Sequence, residues 1–383
     1  MTPELHARGA VCDLLERLVA MVVATGLAGC AINAPPAAET PRLTAAQGRA
    51  FVSRLLPATL SDRNGWATDI FAAMAALDIA ATAENACAVI AIAEQESGLR
   101  VDPPVPGLPR IAWNEIEARR ERAGVPKIVL DAALALPSSD GKRYSERIDA
   151  VKSEGDLSRI YDDFIGRVPF GRTLFADRNP VRTAGPMQVA VAFAEAQAEA
   201  APYPYPMNGS VRDEVFSRRG GLYFGIAHLL DYRAAYDRYL YRFADYNAGR
   251  YASRNAAFQR AVADVSGIPL TLDGDLLRYD DGKPSREAGA TESALHVLAK
   301  RLAMSPSDIR RDLEQGKGEG FERTALYARV FALADQTTHE RVPRAVVPQI
   351  VLSGPKITRR LTTDWFAHRV DERFRACVRR NAA

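Results

Sequence analysis

Apolar residues recur at helical spacing along most of the chain, and one stretch departs from that alternation. Between Ala86 and Ala93 the sequence reads ACAVIAIA, apolar on every side, and a helix without a polar face belongs inside a protein. The helix predicted here runs from Ala83 to Ser97. Thr82 is a suitable N-cap, with Glu84 and Asn85 in the first turn, and Gly98 stands where a left-handed C-cap falls. Glu94, Gln95 and Glu96 precede that end. Carboxylates attached to a buried helix must reach solvent, find a partner or stay protonated. A glutamic acid held protonated near neutral pH is what a general acid requires; a solvated helix end is the plainer outcome for both glutamates.

Around this centre the pattern predicts helix after helix. Residues 44–56 have helical spacing and stop at Pro57, and residues 66–77 follow the turn at 61–65. A Pro-rich break spans 101–109. Helices are then predicted over 113–124, 127–136, 143–153 and 157–166, separated by Pro, Ser, Asp and Gly turns. The stretch 179–189 contains Gly185-Pro186, a turn able to start a helix, with Met187 and Gln188 at its entrance. Residues 220–232 form a Gly-punctuated helix, and the next one ends at Tyr246-Asn247-Ala248-Gly249. Beyond Val265, residues 267–281 suggest a small hairpin, and 291–304, 307–315, 321–334 and 357–381 suggest helices. The pair around 303–307 has the outline of a helix-turn-helix and is taken as a structural helix pair.

Composition narrows the setting. At 383 residues, 47% hydrophobic and 25% charged, the chain is globular and large enough for one large or two ordinary domains. A net charge of +3 gives no mandate for nucleic acid, and no zinc-type cysteine cluster is present. Near the N-terminus Arg8 and Arg17 precede the apolar run 18–26, too short to span a bilayer, and then Leu27-Ala28-Gly29-Cys30. This resembles a bacterial lipoprotein signal with its lipobox, although Glu4, Asp13 and Glu16 are unusual in such a leader. The resemblance implies removal of residues 1–29, lipidation of Cys30, a Pro/Ala-rich tether up to residue 42, and anchorage at the inner face of the outer membrane in the periplasm. Cys87 and Cys377 then remain, either bridged or as buried free thiols.

Gln-Glu-Ser at the end of a buried helix, Gly-x-Met-Gln, the Gly-containing helix GxxYFGIAHLL and Tyr-Asn-Ala-Gly follow one another in that order. Together they resemble the lytic transglycosylases of the lysozyme-like superfamily. The match covers about residues 42–265. On that resemblance the fold is mainly α: a lysozyme-like domain over 43–265, carrying a helical insertion at 100–179, with a mostly helical C-terminal region at 266–383. Glu96 corresponds to the catalytic acid/base, and Ser97, Met187, Gln188, Tyr246 and Asn247 to residues lining the sugar cleft. The activity implied is cleavage of peptidoglycan strands to 1,6-anhydro-muramic ends, without metal or cofactor. The 91 residues between Glu96 and Gln188 exceed the usual spacing, which makes the insertion a lobe beside the cleft. Asp245, expected as a solvated residue on the outer helix face, would be the second carboxylate of an alternative muramidase. A catalytically silent peptidoglycan-binding lipoprotein is the other alternative, and the C-terminal region is a candidate surface for cell-wall protein partners.

Overall fold

A helix apolar on every side needs walls on every side, and the fold supplies them from both ends of the chain. The computed structural model describes residues 43–382 apart from 169, 176, 177, 208, 281, 353 and 355–358. The leader, Cys30 and the tether lie outside the described residues.

Helix α1 (Ala45–Leu55) is capped by Thr44, whose hydroxyl accepts from the Gln47 amide. Helix α2 (Arg63–Ala76) begins inside the expected turn, because Asp62 caps it through the Gly65 amide. The central helix α3 (Ala83–Ser97) has the bounds read from the sequence. Thr82 accepts from the Asn85 amide, and Gly98 closes the helix at φ +62°. Every residue from Ala86 to Ala93 is 0% exposed. The absence of a polar face thus correctly located the centre of the fold.

Residues 100–179 contain α4 (Leu108–Arg122), α5 (Lys127–Leu134), α6 (Tyr144–Asp149), α7 (Glu154–Arg167) and α8 (Gly171–Phe175). Helix α4 starts five residues before the expected Trp113 because Pro109 falls in its first turn, where a missing N–H costs nothing. Leu108, Ala112, Tyr144, Ile148 and Ile160 give this lobe a small core of its own. Its return to the main body is pinned at Asn179, 0% exposed, whose amide donates to Ser158 and Asp162.

At Gly185-Pro186 the expectation of a helix start is corrected. Strands β1 (Thr183–Ala184) and β2 (Val189–Ala190) pair antiparallel, so residues 185–188 form the turn of a hairpin. Helix α9 (Val191–Ala200) follows only afterwards, then α10 (Val211–Phe216), α11 (Arg218–Leu230), α12 (Tyr239–Ala248) and α13 (Ala252–Ser266).

The expected hairpin over 267–281 is confined to its end, where β3 (Tyr279–Asp280) pairs with β4 (Lys283–Pro284). Helices α14 (Ala290–Leu302), α15 (Pro306–Leu313) and α16 (Ala325–Thr338) pack with α13 around Phe258, Leu295, Phe321 and Phe331. Between α15 and α16 lie two 3-10 turns, Glu314–Lys317 and Glu319–Arg323. Strands β5 (Val351–Leu352) and β6 (Leu361–Thr362) pair, which delays the last helix, α17 (Thr363–Ala382), from the expected 357.

Helix α17 returns to the first half of the fold and packs on α3 and α12. It is joined to α3 by a disulfide between Cys87 and Cys377, 290 residues apart and both buried. The described residues are mainly helical, and none of their helices is long and apolar enough to cross a membrane. A cross-link closing so long a loop restricts the unfolded chain strongly. Replacing both cysteines by serine is expected to cost about 2–5 kcal/mol in denaturant unfolding. Reductant should lower the stability of the parent protein and leave the double variant unchanged.

Candidate functional site

Helix α3 delivers four polar side chains, Glu94 to Ser97, to its C-terminal turn, and the helical rotation sends them in different directions. Successive residues turn by about 100°, so Glu94 and Glu96 diverge by about 200°. Glu94 and Gln95 face α17: Arg373 pairs with the Glu94 carboxylate at 3.3 Å and donates to the Gln95 amide oxygen at 3.1 Å. The charge of Glu94 therefore has a structural partner from the far end of the chain. Glu96 is half-buried, and its negative charge is felt by Tyr246 on α12.

Ser97, next in sequence, locks the helix end to the hairpin turn. Its hydroxyl lies 2.8 Å from the Pro186 carbonyl and 2.9 Å from that of Ala93, donating to one at a time, and it accepts from the Arg100 amide. The turn itself needs Gly185: with φ +75°, an added Cβ would stand 2.2 Å from the Val215 carbonyl oxygen. Gly221 and Gly225, one turn apart on α11, let the turn lie directly on that helix. A Cβ on Gly221 would meet the Pro186 ring at 2.6 Å, and one on Gly225 would meet Met187 at 2.6 Å. Met187 is consequently 0% exposed. Its side chain seats the turn, and its carbonyl accepts from the Tyr246 hydroxyl at 2.7 Å. Gln188, at φ +50°, closes the turn by donating to the Gly185 carbonyl, and Thr183 donates to its amide oxygen.

Tyr246 is held from two sides. Burial first, and then the charge of Glu96, keeps its phenol well above the ordinary range. It is therefore a neutral hydrogen-bonding group throughout the physiological range. From α11, the His228 ring packs edge-on against the Tyr246 ring with centroids 4.9 Å apart, and its Nε2 lies 3.3 Å from the Tyr246 carbonyl. A carbonyl only accepts, so Nε2 carries the hydrogen. Burial and the nearby Arg250 guanidinium push the His228 pKa down to about 4. Arg250 in turn donates to the carbonyls of Ala227 and His228 and lies over Phe193.

The structure thus brings Glu96, Ser97, Met187, Gln188 and Tyr246 into one neighbourhood. Asn247 is committed elsewhere, since its amide oxygen accepts from Thr363 at the start of α17 at 2.8 Å. The expectation that Asp245 is solvated is overturned. It is 1% exposed and accepts from the hydroxyls of Tyr232 and Tyr236 and from the amides of Tyr251 and Ser253. These partners cap the start of α13. Burial still raises its carboxyl above the usual range in spite of them. His228, Arg250, Thr363 and Arg373 escaped the sequence reading. Only His228 carried a signal, as the single histidine of the Gly-rich helix. Of the tryptophans, Trp66 is buried, Trp113 donates to Asp149, and the half-buried Trp365 at the start of α17 lies under the Arg359 guanidinium at 5.3 Å.

Comparisons with known proteins show a family. The family described as "Protein of unknown function (DUF1615)" matches residues 59–380. The chain is similar to "Uncharacterized protein YaiW" of Escherichia coli (strain K12), with 51% identity over 353 residues, covering 92% of this chain and 95% of the relative. No solved structure matches.

Two outcomes follow from the geometry. Gly225→Ala gains up to about 1 kcal/mol of helix propensity but drives a Cβ into Met187. Overpacking of about 1–3 kcal/mol should dominate and lower the denaturation midpoint. For His228, the folded pKa of about 4 lies below the unfolded value of 6.5, so the unfolded chain takes up the proton first as pH falls. The stability this group contributes is complete above 6.5 and is lost between 6.5 and 4. Unfolding curves across that window should show a shallower loss in His228→Gln.

Proposed function

We propose that this chain, which belongs to the DUF1615 family, is a peptidoglycan lytic transglycosylase with a lysozyme-like catalytic domain and Glu96 as its acid and base. The observation that carries the reading is convergence. Three stretches far apart in sequence, at Glu96-Ser97, Gly185–Gln188 and Tyr246, meet through the Ser97 to Pro186 contact, the Tyr246 to Met187 hydrogen bond and the charge of Glu96 acting on Tyr246.

In the proposed reaction Glu96 first takes up a proton, losing the charge it exerts on Tyr246, and then gives that proton to the oxygen joining N-acetylmuramic acid to N-acetylglucosamine. The bond from that oxygen to C1 of the muramic residue breaks. The muramic N-acetyl carbonyl oxygen carries part of the positive charge left on C1. The Glu96 carboxylate then takes the proton of the muramic 6-hydroxyl as its oxygen bonds to C1, closing the 1,6-anhydro ring. No water is consumed, and Glu96 ends protonated. A neutral Tyr246 phenol beside this carboxyl, its own hydrogen given to the Met187 carbonyl, adds no charge during either transfer.

A single carboxylate suits this cycle, whereas hydrolytic glycosidases generally place two across the bond. Asp245 does not serve as the second one, being enclosed by Tyr232, Tyr236, Tyr251 and Ser253. The lipobox at Cys30 points to an exported lipoprotein at the outer membrane. The buried Cys87–Cys377 disulfide supports that reading, because such bridges persist in oxidising compartments.

The test is incubation of the purified protein with peptidoglycan, with mass spectrometry of the released fragments. Anhydro-muramic ends are expected from the parent and none from Glu96→Gln, at matching melting temperatures. Reducing ends would establish hydrolysis instead, and binding to sacculi without release would establish a silent binding protein.

A further inference from the structure

The connection between α11 and α12 and the 3-10 turn Glu319–Arg323 face each other across an open cleft of roughly 480 Å3. Its lining is charged in both signs: Arg233, Arg242 and Arg323 stand with Glu319 and Glu322 around Tyr232. The floor is built. Arg242 lies 4.6 Å over the Tyr232 ring and is within 3.4 Å of the carbonyls of Leu229 and Tyr232, while the Tyr232 hydroxyl donates to the buried Asp245. The rim is adjustable. Arg233, Glu319 and Arg323 are exposed, and Arg323 pairs with Glu319 at 3.1 Å.

A rigid cationic floor under a rim of both signs suits a small zwitterion with more carboxylate than ammonium. The volume is that of an ordinary small-ligand site, large enough for a short peptide. Placement narrows the class. Arg242 and Tyr246 are four residues apart on one face of α12, about 6 Å along the helix. A peptide of three residues spans about 10 Å. A peptide hanging from a sugar bound beside Tyr246 is long enough to reach the cleft.

We propose that this cleft binds the peptide stem of peptidoglycan, with stem carboxylates on Arg242, Arg233 and Arg323 and the diaminopimelate ammonium toward Glu319 and Glu322. The choice of this peptide among zwitterionic ones rests on the glycan-strand reading above; the charge pattern of the site does not. On this view the enzyme selects strands that still carry their peptides.

The probe is the N-acetylated tripeptide of L-alanine, D-glutamate and diaminopimelate, titrated calorimetrically into the full chain. The parent and Glu96→Gln should bind it equally. The double variant Arg233→Glu/Arg323→Glu alters only exposed side chains and should keep its melting temperature while losing affinity by about tenfold or more. Absence of binding at millimolar peptide, or binding that survives the double reversal, overturns the proposal. Strand cleavage is read separately. Peptide binding without anhydro ends would retain this site and reject the transglycosylase reading, and cleavage without peptide binding would do the reverse.

Discussion

The constraint on which the structure depends is the burial of α3 on every side. A helix with one apolar stripe can rest on a surface, but ACAVIAIA must be enclosed all round to remove its apolar area from water. Helices α1, α2 and α11 supply part of the enclosure, and α17, nearly three hundred residues downstream, closes it. The disulfide from Cys87 to Cys377 and the Arg373 bridge to Glu94 and Gln95 fasten that closure at two levels of the same helix. Helix α17 also accounts for the charge of Glu94, while the charge of Glu96 acts on Tyr246. The C-terminal helix therefore braces the neighbourhood of Glu96 through Arg373 on Glu94 and Gln95 and Thr363 on Asn247.

What could be read from the sequence was local. The bounds of α3 were legible because cap, apolar run and glycine stop all agree there, and consistency across levels is what makes a segment readable. The hairpin at 183–190 was not legible. Gly-Pro is compatible with a helix start, and the hairpin exists because Gly221 and Gly225 on another helix make room for the turn, a fact of tertiary packing. Asp245 was misread for a related reason. A carboxylate is ordinarily exposed, and its four partners come from the loop before α12 and the start of α13, where no short motif announces them. The irregular segment 267–278 took no hairpin form because its backbone is used by neighbours: Asn255 donates to the Gly274 carbonyl, and Gln259 both donates to Asp275 and accepts from Gly274.

Two buried ionisable groups, Asp245 and Arg254, make the C-terminal region part of the same body as Tyr246. Asp245 ties the loop at Tyr232 and Tyr236 to the first turn of α13. Arg254, 1% exposed, reaches from that turn to the carbonyls of Gly316 and Gly318, with the rings of Tyr251 and Phe321 against its guanidinium. Each group is satisfied by several hydrogen bonds, and removing part of such a set leaves a buried polar group unpaired. The result is a corner that resists partial loosening.

That corner also fixes the relation between the charged cleft and Tyr246. Asp245 precedes Tyr246 in sequence and holds Tyr232, the ring on which Arg242 stacks. A ligand that pulls Arg242 or Tyr232 acts on a hydrogen-bonded unit, and that unit includes the backbone from which Tyr246 projects. The two proposed sites on one helix, joined through a buried carboxylate, share their geometry by construction. Flexible side chains at the cleft rim can adapt to a bound peptide while the floor transmits little displacement. On the proposed reading, occupancy of the cleft would align a strand along α12 without disturbing the seat of Tyr246 on Met187, so its consequence would fall on which strands are held and leave the proposed proton transfers at Glu96 unchanged.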